Sequence, residues 1–192
     1  MKTPLVIRVC IWIWLIAALL AGNYRLLQRL PAPAMQGVLF GLTALLLLLY
    51  GQLRVLRNWL DRLDLRSLVF LHVTRFVGFY FLLLFHRGEL PYAFAVPGGW
   101  GDNIVAALAL GVVFWPMGDA LRRRAITIWN VIGFVDIMLV VATAARLGLE
   151  APGQMHALTI LPLSLLPTFL VPLIIATHII IFLRLRRENA AP

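Results

Sequence analysis

Acidic residues, cysteine and lysine are all scarce in this chain, and no polar stretch is long enough to build a soluble domain. Only 8 of the 192 residues are Asp or Glu, against 17 Lys or Arg, and Lys2 is the single lysine. The one cysteine, Cys10, excludes an internal disulfide framework and a thiol pair for metal or redox work. Metalloprotease, serine-hydrolase, phosphate-loop and dinucleotide motifs are missing as well, so no sequence signal points to an enzyme and no metal site is expected. Asp61 and Asp64 are the only closely spaced carboxylates. They lie among arginines, where ion pairing is the expected role.

What the chain has in abundance is apolar sequence. Hydrophobic residues make up 62% and charged residues 13%, far from the balance of a soluble domain. A helix needs about 20 apolar residues to cross the hydrocarbon core of a bilayer, and a spanning segment must satisfy its backbone internally. Five stretches meet the length: Pro4–Gly22, Met35–Gln52, Leu68–His86, Ile126–Ala145 and Leu158–Leu183. A sixth, Ile104–Met117, is shorter. The expected fold is all-α, a single polytopic membrane domain of about six helices over residues 1–192. The bilayer is the first partner.

The net charge of +9 resembles a nucleic-acid signal until the arginines are placed. With the N-terminus inside, the cytoplasmic side carries Lys2, Arg8, Arg54, Arg57, Arg62, Arg66, Arg122, Arg123, Arg124, Arg184, Arg186 and Arg187. The outer side keeps Arg25, Arg29, Arg87 and Arg146. This asymmetry is a topology signal. It puts both termini in the cytoplasm, and it gives the arginines anionic lipid head groups rather than nucleic acid as partners. The first span is expected to stay as an uncleaved anchor, since no small-x-small site precedes Asn23. The segment 54–66 spaces its leucines helically, with Trp59 as an interfacial anchor.

Gly88–Asn103 reads GELPYAFAVPGGWGDN, and its prolines and glycines predict an irregular Pro/Gly segment before the fourth helix. Ile104–Met117 is about 21 Å long at helical rise. The segment is therefore either re-entrant, with Asp102 or Asn103 capping a half-helix, or an outer loop. Gly37 and Gly41 form a small-xxx-small pair suited to close helix packing. Pro162, Pro167 and Pro172 predict kinks in the last span.

Ionisable residues within spans are costly and mark function. Arg75 and Asp136 lie at depths that an arginine side chain can bridge, and Asn130, Gly133 and Asp136 share one helix face. Arg75, Asp102, Asn130, Asp136 and His178 are therefore the candidate ligand-binding residues, lining a polar intramembrane cavity. Such a cavity fits a carrier or receptor in transport of a small-molecule ligand, anionic or proton-coupled. Four histidines allow a second reading. His72 and His178 lie at similar depth on two spans, with His86 and His156 near the other ends, a layout by which membrane cytochromes hold haem b. The His156–His178 separation breaks that match. A third reading is a structural subunit of a membrane complex. Oligomeric state is not legible.

The runs RFVGFYFLLLFHRGELPYAFAVPGGWGDNIV (75–105), WNVIGFVD (129–136) and LPLSLLPTFLVPLIIATHII (161–180) resemble a family of small bacterial membrane proteins of unknown function. The likeness covers about the last two-thirds of the chain. It implies a bacterial inner membrane and brings no substrate, cofactor or mechanism.

Overall fold

A computed structural model describes residues 3–190, so Lys2 and the two chain ends used in the topology count lie outside the described residues. The described chain is helical and contains no strand. Six helical segments are long and apolar enough to cross a membrane: Leu5–Asn23, Pro33–Gln52, Leu65–His86, Tyr92–Phe114, Asp119–Glu150 and Leu166–Glu188. The chain is a multi-pass membrane protein. It forms two compact units: residues up to Leu63 with Ala145–Ala176, and Asp64–Ala144 with the chain from Thr177 onward.

The first unit holds α1 (Leu5–Asn23), α2 (Ala32–Gln52) and α3 (Arg54–Arg62), with short 3₁₀ turns at Leu26–Arg29 and Pro152–Thr159. Apolar residues cover α1 all round, and Leu5, Val6, Trp12 and Ile13 are each more than 60% exposed, as a lipid-facing helix requires. Arg57 turns back from α3 onto the last carbonyls of α2, those of Tyr50 and Gly51, and supplies donors to an end that has none of its own. The Tyr50 hydroxyl donates to Asp61 at 2.7 Å, which ties α3 to α2 a second time.

The last span is less regular than its apolar run predicts. It begins at Leu166 rather than Leu158, because residues around a cis Leu161–Pro162 bond form turns, followed by one π-helical turn at Leu166–Leu170. Pro162 thus lies outside the span, and only Pro167 and Pro172 fall inside it, both in its first turns. Pro172 has no N–H to offer the carbonyl four residues back, that of Thr168. Trp14 Nε1 donates to that carbonyl at 2.9 Å, and its ring packs on Phe169 with centroids 4.6 Å apart. Trp14→Phe keeps the ring contact and removes the donor. Thermal unfolding of the purified full chain should show a loss of about 1–3 kcal/mol, the cost of an under-satisfied buried acceptor, whereas a purely aromatic role for Trp14 leaves stability unchanged.

The second unit opens with α4 (Leu65–Leu71), whose first turn is capped by Asp64. The hydrogen bond from the Arg66 side chain holds the Asp64 carboxyl below its ordinary range. Instead of continuing as an α-helix, the span tightens into six residues of 3₁₀-helix, His72–Val77, before α5 (Gly78–His86). The end of α5 is set by Gly88 at φ 71°: Gly88 N–H donates to the Phe85 carbonyl and Glu89 N–H to that of Leu84, both at 2.9 Å. This is the paired closure that a left-handed glycine permits after a helix.

The irregular segment is confined to residues 87–91, and α6 runs unbroken from Tyr92 to Phe114 through Pro97, Gly98, Gly99 and Gly101. Helix propensities measured in water overstate the cost of glycine and proline here, because a bilayer offers the backbone no alternative partner. The glycines serve packing. A Cβ at Gly78 would overlap the Gly99 carbonyl oxygen, and one at Gly99 would come within 2.8 Å of the Gly78 carbonyl oxygen, so α5 and α6 meet backbone to backbone. By contrast, among the described residues nothing lies within 4 Å of a Cβ at Gly37 or Gly41, and the expected close packing is not made there. The C-terminus of α6 is closed by Arg122 of α7 (Asp119–Glu150), which donates to the carbonyls of Val112 (2.9 Å), Trp115 and Met117 (both 3.2 Å). The unit is completed by α8 (Val171–Ala190) from Thr177 onward.

Candidate functional site

The centre of the second unit is a guanidinium with two carboxylates. Arg75 sits in the 3₁₀ stretch, near the middle of its span, with its side chain 1% exposed. Its Nε donates to Asp102 of α6 at 2.6 Å, one terminal nitrogen to the Gly133 carbonyl of α7 at 2.9 Å, and the other to Asp136 of α7. Asp102 is 5% exposed and Asp136 21%. The expected Arg75–Asp136 pair is present, with a second acid beside it. Asp102 does not head a half-helix near the outer face. It lies midway along a continuous α6, so no free helix N–H groups gather there.

Close backbone approach makes this arrangement possible. A Cβ at Gly101 would overlap the Asp136 carboxylate. A Cβ at Gly133 would fall 2.7 Å from His178 Cε1 and 3.0 Å from Val105. Gly133 therefore links two polar groups: its carbonyl ends on Arg75 and its Cα faces the His178 ring.

On that other side, His178 Nδ1 and Asn130 Oδ1 are 2.8 Å apart, while Asn130 Nδ2 donates to the His178 carbonyl at 3.0 Å. The second bond fixes which end of the amide is oxygen. The first then requires that His178 Nδ1 carry the proton and that Nε2 present a lone pair. His72, three residues before Arg75, packs against His178 with ring centroids 4.2 Å apart, and its Nε2 meets the Thr177 hydroxyl at 3.1 Å. In a 3₁₀-helix residues three apart eclipse, which is why His72 and Arg75 serve the same cluster. Trp129 covers both imidazoles, its ring 4.9 Å from His72 and 5.4 Å from His178, and donates through Nε1 to the Val105 carbonyl at 3.0 Å.

All five candidate residues thus fall in one unit, three on the guanidinium arm and two on the imidazole arm. Asn103, which the sequence offered only as an alternative helix cap, is a further member. It is 4% exposed, and neither amide atom has a hydrogen-bond partner; His178 Nε2 and His72 Nδ1 are likewise buried and unpartnered. Unsatisfied buried polar groups are rare and call for an explanation. The glycines of PGGWG inside an otherwise apolar run were the available signal for the close approach around them.

The same geometry tests the haem reading. A macrocycle clamped between His72 and His178 needs a gap between the rings, and rings in contact at 4.2 Å leave none. His72 Nε2 is also engaged by Thr177. His86 and His156 are exposed, at the end of α5 and in the Pro152–Thr159 turn. These residues do not fit a haem. Among the described residues no group of three or more His, Cys, Asp or Glu has the geometry to hold a metal ion.

Residues 32–186 match the model of a family described as a domain of unknown function, DUF8737, and the chain belongs to that family. No curated protein and no solved structure matches it.

Proposed function

We propose that this chain is a proton-coupled carrier of a bacterial inner membrane, with both ends cytoplasmic, and that the Arg75–Asp102–Asp136 cluster binds the proton. One observation supports this above all: a single buried guanidinium faces two carboxylates. With both acids ionised the cluster has one negative charge too many. Uncompensated charge inside a membrane costs at least about 2.5–3.5 kcal/mol, and one proton removes it. The anionic half of the original expectation loses its receptor, because Arg75 already has its counter-ions. The arginine asymmetry between the loops supports the orientation. Exposed Arg54 and Arg62 suit anionic head groups at that face.

Infrared difference spectra of the purified full chain across a pH series provide the test. A protonated-carboxyl band should grow as pH falls, and it should be lost or displaced in both Asp102→Asn and Asp136→Asn. A spectrum in which neither substitution alters any carboxyl band overturns the reading.

A further inference from the structure

The imidazole arm of the cluster has no part in the charge count so far, yet it is buried and fixed with an unused lone pair. His178 is fully buried, its Nδ1–H is committed to Asn130, and its Nε2 has no partner. A neutral histidine kept only for packing has no need of an amide that sets its tautomer. One glycine, Gly133, separates this ring from the guanidinium. His72 packs on this ring, and the charged groups on the far side of Gly133 are Arg75 from the 3₁₀ stretch with its partners Asp102 from α6 and Asp136 from α7; α8 contributes no other charged residue between Val171 and Phe182.

We propose that His178 Nε2 is a second resting place for the proton of this cluster. The inference rests on the proton-binding reading of Arg75, Asp102 and Asp136. The chemistry balances without a co-reactant. In one state a carboxylic acid holds the proton: Arg75 is the cation, the other acid is its counter-ion, and His178 is neutral. In the other, the acid's O–H bond has broken and an N–H bond has formed at Nε2, leaving two carboxylates matched by a guanidinium and an imidazolium. Total charge is zero in both, so the proton changes position without creating net charge in the membrane. Asn130 is a positioning residue in this scheme. It holds the only tautomer whose Nε2 can accept, and its carbonyl oxygen remains a partner for Nδ1–H after protonation. His72 packs at a tilt against the same ring, with its Nε2 3.1 Å from the Thr177 hydroxyl.

Nitrogen-15 NMR of the full chain labelled at histidine tests this, with signals assigned through His72→Gln, His86→Gln, His156→Gln and His178→Gln. The wild type should show His178 as one tautomer, bare at Nε2, becoming imidazolium over the pH range of the carboxyl band. In Asp136→Asn one carboxylate already balances Arg75, and the imidazolium fraction at a given pH should fall roughly tenfold or more, as loss of a nearby opposite charge predicts. Asn130→Leu should give mixed tautomers at neutral pH. Two results overturn the inference: a His178 Nε2 that stays bare wherever the chain is folded, or a His178 titration unchanged by Asp136→Asn. If the carboxyl band responds to pH while His178 is silent, the inference alone fails. If neither responds, the proton-binding reading fails with it.

Discussion

Arg75→Leu should be the most damaging single change in the chain. It strands two carboxylates in the interior, and breaking a buried pair by removing one partner costs about 3–5 kcal/mol. Here two acids lose their counter-ion together, and the Gly133 carbonyl loses a donor. The expected outcome is little or no folded protein on size-exclusion of detergent extracts. Asp102→Asn and Asp136→Asn should each be mild, since each removes the surplus charge and keeps the shape. The triple change Arg75→Leu/Asp102→Asn/Asp136→Asn should recover much of the folded yield, because no lone charge remains. If Arg75→Leu folds as well as the wild type, or if the triple change is no better than the single one, the cluster is not an electrostatic unit.

Gly78→Ala should follow closely. The added methyl overlaps the Gly99 carbonyl oxygen and comes within 2.9 Å of Asn103 Oδ1 and 3.0 Å of the Asp102 Cβ. Backbone cannot rotate away as a side-chain end does, so α5 and α6 must separate. A loss of about 1–3 kcal/mol or more is expected from overpacking, read as a lower midpoint in thermal unfolding. Gly37→Ala and Gly41→Ala are the internal controls. With open space around both, they should be neutral or gain roughly 0.5–1 kcal/mol from helix propensity. Equal losses at Gly78 and Gly41 would show that close packing is not what Gly78 provides.

The sequence displayed the six spans because length and apolarity alone decide them. It also displayed the Arg75–Asp136 pair, because an isolated charge at that depth demands a partner. Asp102 was harder to place. Read with aqueous propensities, Pro97, Gly98, Gly99 and Gly101 broke the helix and moved Asp102 toward the surface, whereas in the fold they let α6 approach its neighbours and set Asp102 against Arg75. The histidines showed the converse failure. Their spacing along the chain suggested paired ligands, but spacing carries no information on whether two rings face a common guest or each other, as His72 and His178 do. Asn103 was read only as an alternative helix cap because it follows Asp102 at an apparent helix start. Its burial depends on the contact of α6 with α5, which no local pattern records.

The tight stretch His72–Val77 has a consequence for every residue that follows it in the same span. A 3₁₀-helix advances about 2.0 Å and 120° per residue, against about 1.5 Å and 100° for an α-helix. Over these six residues the span gains about 3 Å in length, and its phase slips by about a third of a turn. A single angular rule cannot be carried from Leu65 to His86. The stripe of α4 that faces the protein and the stripe of α5 that does so belong to two different wheels, joined at the residues that carry the charge.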